Sequence, residues 1–415
     1  MSSSQSPSPV RRRRVFYIPG YDPFPPRRYR ELYRREGRDQ ARLSGYDLAL
    51  TPGSASSAFG WHVSARIDGQ EVETDIEVLP WSDIVRNSMR TSIAATYVQL
   101  LQTAWIYISC GALWRLMRLR KGPVIAALYP VAILLVQALV ALALAGGVAW
   151  AVGVFGAALE MPTGLRLAGQ VLLGAGAAAA VLGAFKARDN RLFAYYLMHD
   201  YAHSAALRGQ YPPDLETRIA EFTATVRSAL ADNDSDEVLV VGHSSGAHIG
   251  VSVLADLLRE GLPEPRPELN FLSLGQVVPM VSFLPRAERL RRDLQEMSEQ
   301  VGIAWYDVTA PGDGCAFALC DPVAVSGVAR PAQRWPVVFS AAFSQSLSPA
   351  RWQALKRRYF RLHFQYLCAF DAPRDYDYFQ ITAGPLSLRS RYRMRDHSRS
   401  RLSRAVNRYT SVALR

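Results

Sequence analysis

Cysteine and lysine are the scarce residues of this 415-residue chain. Four cysteines, Cys110, Cys315, Cys320 and Cys368, are too few to organise a fold of this length through disulfides. No Cys-x-x-Cys pair occurs, and Cys315 and Cys320 have no His or Cys at zinc spacing. The thiols carry no sequence signature of a zinc module and are expected to be reduced and packed among apolar neighbours. Lysine occurs only at Lys121, Lys186 and Lys356, so arginine supplies nearly all of the 48 basic residues. Residues 1–10 are rich in Ser and Pro and lack an apolar core, which predicts no signal peptide there. Charge is absent altogether from residues 124–157.

What is present allows a large core. The chain is 49% apolar and 20% charged, which excludes a disordered protein or a coiled coil and leaves room for two or three domain-sized units. Against 36 acidic residues the basic ones leave a net charge of +12, which suits nucleic acid or an anionic membrane face. The arginines cluster at 11–14, 27–35 and 389–408, with no nucleic-acid-binding motif among them. Anionic lipid headgroups are therefore the expected partner, and nucleic acid is not.

The charge-free run 124–157 is followed by a short polar link, 160–166, and a second apolar run, 167–185. At about 1.5 Å per helical residue the first run would reach roughly 51 Å, more than the roughly 30 Å of a bilayer core. It is expected to tilt, to break near Gly146-Gly147, or to continue along the interface. Arg115, Arg118, Arg120 and Lys121 precede the pair, Lys186, Arg188 and Arg191 follow it, and Arg166 alone lies in the link. By the positive-inside rule this is a transmembrane hairpin with both ends in the cytoplasm, as in a bacterial-type inner membrane. Residues 92–114 form a helix-length segment whose Trp105, Tyr107 and Trp114 suit headgroup depth, with packing on the soluble part as the alternative.

The remainder alternates strand and helix. Residues 15–18 read as a buried strand ended by Pro19-Gly20, residues 27–38 as a short helix, and 61–67 with 71–79 as a hairpin around Asp68-Gly69-Gln70. Beyond the apolar pair, strands are expected at 237–241, 271–274, 303–308 and 337–343, with helices at 213–231, 247–259 and 285–301. The fold class is thus α/β, a mostly parallel sheet flanked by helices and interrupted by a two-helix transmembrane insertion. The expected organisation is a flexible basic start (1–14), a first part of the sheet domain (15–91), an interfacial or amphipathic helix (92–123), the hairpin (124–185), the second part of the sheet domain (186–388) and a basic tail (389–415). Both sheet parts must lie on one side of the membrane, which two crossings satisfy.

The sharpest motif is Gly242-His243-Ser244-Ser245-Gly246, a Gly-x-Ser-x-Gly between the apolar run Val238–Val241 and an amphipathic helix. A serine on a sharp strand-to-helix turn needs small neighbours, and the helix that follows points its positive end at developing negative charge. On these residues the chain resembles the α/β-hydrolase fold superfamily of serine esterases and lipases, over residues 15–79 and 192–380. The resemblance implies a Ser-Asp-His triad in that chain order, with Ser244 as nucleophile. Asp313, in the loop after the strand 303–308, is the preferred acid, with Asp321 and then Asp307 behind it; each would otherwise be a turn-forming aspartate. Of the histidines downstream, His248 lies one helical turn from Ser244 and is expected to pack, and His397 lies in the arginine-dense tail. His363 is the expected base, in a His363-Phe364-Gln365-Tyr366 pattern similar to the His-x-x-Tyr at the catalytic histidine of several lipases.

The resemblance also implies two backbone oxyanion donors, Ser245 N–H and an N–H of the loop Pro19-Gly20-Tyr21, with Gly20 allowing close approach and Tyr21 donating. Where the superfamily often shows His-Gly, this chain has Pro19-Gly20. The expected activity is hydrolysis of carboxylic esters, apolar or lipid-like given the anchor, through an acyl-enzyme. An acyltransferase or peptidase on the same triad, and a non-catalytic scaffold of the same fold, stay open. No cofactor is implied, and His199 and His203, with Asp200 between, lack a zinc motif.

Overall fold

The computed structural model describes residues 9–52 and 59–413. Eight strands build one sheet: β1 Arg12–Ile18, β2 Asp47–Pro52, β3 Gly60–Ile67, β4 Gln70–Val78, β5 Glu237–His243, β6 Glu268–Leu274, β7 Ile303–Thr309 and β8 Val337–Ser340. Their spatial order is β2-β3-β4-β1-β5-β6-β7-β8. From β4 through β8 neighbouring strands run parallel, and only β3 is antiparallel to both its neighbours. β1–β4 precede the apolar pair of helices and β5–β8 follow it, so one sheet is assembled from both sides of the insertion. β1 and β5, far apart in sequence, lie side by side at its centre.

The parallel strands are long apolar runs because both faces are covered. Every residue of β5 and of β7 is buried. Helices Pro213–Asp232, Ser245–Glu260 and Glu288–Glu299 bury apolar faces, the middle one packing on β1, β5 and β6 and on the other two. On the opposite face a large aromatic cluster gathers Tyr17, Tyr33, Trp61, Tyr306, Tyr366 and Phe379.

Several expectations shift. Of the expected flexible start, residues 1–8 lie outside the described residues, and Arg12, Arg13 and Arg14 already belong to β1. Arg13 is not an open basic residue: its guanidinium is fully buried, 2.6 Å from Glu237, and donates to the carbonyls of Gly384 and Leu386. The helix expected at 27–38 runs on to Ser44 and ends at Gly45, whose φ of 72° is a glycine conformation. β2 was not foreseen, because it is a half-exposed edge strand that closes on a proline. The segment 92–114 is two helices, Ile93–Ser109 and Ala112–Leu119, parted at Gly111 with φ 75°. The basic tail is not loose: it contains the helix Leu388–Tyr392, Ser398 N–H donates to Val338 O at 2.9 Å, and Leu402 bridges Cys320.

The chain divides into two compact units. One is Met1–Asn87, Ile108–Pro123 and Leu207–Arg415, which holds the sheet; the other is Ser88–Tyr107 and Val124–Ala206. In the second unit helices Lys121–Ala158 and Thr163–Ala187 are long and apolar enough to cross a membrane, with 17% and 6% of their most apolar stretches buried by protein. The first passes through Gly146-Gly147 without a break. Close contact within the pair is made by small residues: a methyl at Gly174 would stand 3.1 Å from Ala145 O, and one at Gly169 3.3 Å from Val152. Helix Ala194–Ala205 packs Tyr195, Met198 and Ala202 with Leu100 and Leu134.

Candidate active site

β5 ends at His243 and a helix begins at Ser245, leaving Ser244 alone at the turn. Its backbone sits at φ 57°, ψ −120°, a region costly for any residue with a side chain. The sequence tolerates it through glycines on either side. A Cβ at Gly242 would lie 2.5 Å from Gly246 O, and one at Gly246 would lie 2.1 Å from Ile18 O. Nothing larger than hydrogen fits at either place, and the helix is thereby pressed against the end of β1. Ser244 N–H donates to Leu274 O at 2.9 Å, which ties the turn to β6.

The loop after β1 is drawn onto the serine. A Cβ at Gly20 would be 2.9 Å from Ser244 Cβ and 3.4 Å from Ser244 Oγ. Trp81 Nε1–H donates to Pro19 O at 2.9 Å and the Trp81 ring meets Tyr21 edge-on, which holds the loop in place. Of the residues expected as oxyanion donors, Ser245 opens the helix after Ser244 and Gly20 lies against Ser244, with Tyr21 next to Gly20 in the same loop.

The loop after β7 supplies Asp313. Its own N–H donates to Ala310 O, and its Oδ1 accepts Cys315 N–H at 2.9 Å. Oδ2 pairs with His363 Nδ1 at 2.7 Å and accepts the Tyr366 hydroxyl at 3.0 Å. His363 closes the helix Tyr359–His363, and both members of the pair are buried. Burial by itself would raise the Asp313 carboxyl, but the His363 charge and the hydrogen bonds from His363, Cys315 N–H and Tyr366 outweigh it, leaving the carboxyl below its ordinary range. With Nδ1 engaged, Nε2 is the imidazole nitrogen left for proton transfer.

His363 is brought to the same corner of the sheet as Ser244. Its Cε1 would lie 3.2 Å from a methyl at Gly275, and its ring lies 4.8 Å from that of His243, the residue before the serine. No hydrogen bond joins Ser244 Oγ to His363 among the described residues; such bonds commonly tighten only when substrate is bound.

The other aspartates have different work. Asp321 caps the short helix Pro322–Val325 by accepting Val323 and Ala324 N–H and also accepts from Gln333, so it is not the partner of His363. Asp307, inside β7, accepts the Ser273 hydroxyl at 2.6 Å, and burial pushes its carboxyl up to about 8. His248 stacks on Tyr211, with Nδ1 2.9 Å from the Tyr211 hydroxyl. His397 Nδ1 accepts Val338 N–H. His199 meets Gln99 and Thr91 rather than a metal-ligand set.

Two contributors escaped the sequence reading. His243 occupies the variable position of the Gly-x-Ser-x-Gly, and its Nε2 donates to His363 O at 2.9 Å, steadying the backbone of His363. Burial and then the neighbouring His363 charge push it down to about 3, so it stays neutral. Tyr366 was visible only as the end of His-x-x-Tyr; it links Asp313 to the β7 loop by also accepting Ala310 N–H at 2.9 Å. Among the described residues, Asp313, Cys315 and His363 are the group that pools three potential metal donors, their atoms within 4.8 Å of one another. No protein-family model, curated protein or solved structure matches this chain.

Proposed function

We propose that this chain is a membrane-anchored serine hydrolase with an α/β-hydrolase-like fold, cleaving carboxylic esters that are apolar or lipid-like. The observation that carries the reading is the buried Asp313–His363 pair at 2.7 Å, set at the same sheet corner as a serine held at φ 57°. A strained serine alone is a turn, and a buried Asp–His pair alone is a structural bond. Their meeting beside a glycine loop that presents backbone N–H groups is the arrangement acyl transfer needs.

In this reading Ser244 Oγ attacks the ester carbonyl as its proton passes to His363 Nε2. The oxyanion is held by Ser245 and Tyr21 N–H, and Asp313 fixes the tautomer and stabilises the imidazolium. Collapse breaks the ester C–O bond, and the leaving alkoxide takes the proton from His363. Water, deprotonated by the same nitrogen, then attacks the acyl-enzyme and releases the acid, and Ser244 recovers its proton. The apolar helices Lys121–Ala158 and Thr163–Ala187 anchor the chain in an inner membrane. Arginine and lysine at both ends of the pair favour a cytoplasmic sheet domain. Anionic headgroups would attract the remaining exposed arginines.

The absent Ser244–His363 hydrogen bond favours one competing reading, a scaffold that keeps the fold without turnover. A fluorophosphonate probe applied to the detergent-solubilised full chain separates them. Labelling of the wild type that disappears in Ser244→Ala and His363→Ala supports the hydrolase; a folded wild type that stays unlabelled leaves the scaffold.

A further inference from the structure

We infer that Asp313, Cys315 and His363 form a binding site for a thiophilic divalent cation such as Zn²⁺, and that its occupancy switches Ser244 off. The binding stands on the geometry alone; the inhibitory consequence rests on the hydrolase reading above.

The donor set is a thiol, an imidazole and a carboxylate, the combination that zinc and its neighbours prefer over the all-oxygen shells of Mg²⁺ and Ca²⁺. Asp313 and Cys315 are two residues apart on one turn, and the Cys315 N–H bond to Asp313 Oδ1 fixes that turn. Its glycines are walled by rings: a methyl at Gly312 would meet Trp352 at 2.5 Å, and one at Gly314 would meet Tyr359 at 3.0 Å. The third donor comes from a separate element, the helix Tyr359–His363. All three atoms lie within 4.8 Å of each other. Ligands of a tetrahedral ion with bonds of about 2.0–2.3 Å stand roughly 3.3–3.6 Å apart, so the thiol must close by about 1 Å, within reach of a side-chain rotation of Cys315. Where Nδ1 is the ligand, the Asp313–His363 contact at 2.7 Å must open as its proton leaves. Cys315 is half-buried whereas Asp313 and His363 are buried, which gives the ion a way in on the thiol side.

Binding releases one proton, from the thiol, as the metal–sulfur bond forms. If the ion takes His363 Nδ1, the imidazole proton must sit on Nε2; if it takes Nε2, it occupies that lone pair directly. In both cases Ser244 loses its proton acceptor. The carboxylate that oriented the base becomes a ligand.

Cobalt is the probe, because a thiolate bound to Co²⁺ gives a near-ultraviolet charge-transfer band. The solubilised full chain should show that band in wild type and in Ser244→Ala, and lose it in Cys315→Ser. Independently of any variant, Zn²⁺ should protect Cys315 of the wild type from maleimide, read by peptide mass mapping. Absence of the band in wild type, its persistence in Cys315→Ser, or unprotected Cys315 would each overturn the site. Zn²⁺ should also slow fluorophosphonate labelling of the wild type at least about tenfold, reversed by chelator, with a smaller effect in Cys315→Ser. A cobalt band without any labelling of metal-free wild type removes the hydrolase reading and keeps the cation site; labelling without a band does the reverse.

Discussion

Two runs of the chain, alike in composition, meet opposite fates. Val238, Leu239, Val240 and Val241 in β5 are completely buried, whereas Val171 and Leu172 in the helix Thr163–Ala187 are 69% and 71% exposed. β5 has strands on both sides and helices or aromatic clusters on both faces. The apolar helix approaches the helix Lys121–Ala158 through Gly169 and Gly174, and its apolar side chains at Val171 and Leu172 stay uncovered by protein. Hydrophobicity states only that a segment leaves water. Whether protein or lipid replaces the water depends on how many neighbours the chain can bring to it. Glycine shows the same divide. Gly242 and Gly246 have backbone atoms where a side chain would go, whereas Gly176 and Gly183 have nothing within 4 Å.

The largest expected effect lies in the sheet unit. His363→Ala should lower ester turnover by roughly 10⁴–10⁶-fold with an unchanged circular dichroism spectrum, measured on a chromogenic ester. Retained turnover would sever the sheet corner from any chemistry. Next comes the glycine contrast. Gly246→Val should prevent recovery of folded protein, because its side chain would occupy the place of Ile18 O. Gly176→Ala should leave the melting temperature equal or higher, Ala being the better helix former. A comparable loss at both sites would show that the apolar helices are packed as tightly as the sheet.

Buried charge and membrane charge come third. Arg13→Ala leaves Glu237 buried without its partner and should cost about 3–5 kcal/mol in denaturant unfolding. Leu172→Arg should cost about 2.5–3.5 kcal/mol of membrane insertion, read as glycosylation-site topology or alkaline extraction, and leave sheet unfolding unmoved. If instead it destabilises the sheet in detergent, Leu172 faces protein.

The smallest effect is in pH. His243 is held neutral down to about 3, so its contribution is present above the ordinary histidine range near 6.5 and is lost as pH falls below it. His243→Gln, which can still donate to His363 O, should flatten that acid decline in melting temperature. Asp307, pushed up to about 8, has the opposite sign: its contribution is full below about 4 and drains away as pH rises through 8. Asp307→Asn should therefore flatten the decline in melting temperature between about pH 4 and 8.

The legible features are those whose cause is local. The turn at Ser244 is written in Gly242 and Gly246, and β5 in four consecutive branched apolar residues. The apolar pair shows in the absence of charge. The preference for Asp313 over Asp321 and Asp307 comes from the resemblance rather than from a local cause, since each also fits a turn-forming aspartate. Only Asp313 reaches His363; Asp321 spends its oxygens on helix N–H groups and on Gln333. Arg13 read as one of four exposed arginines because its partner, Glu237, lies beyond the whole insertion.

By itself the sequence determined periodicity, punctuation and the places where only glycine fits, because these follow from steric and solvation preferences over a few residues. Tertiary structure decided which strand stands beside which, which carboxylate meets the imidazole and which guanidinium is buried. Those outcomes depend on distances of a few ångströms between residues tens or hundreds of positions apart, and no local preference encodes them.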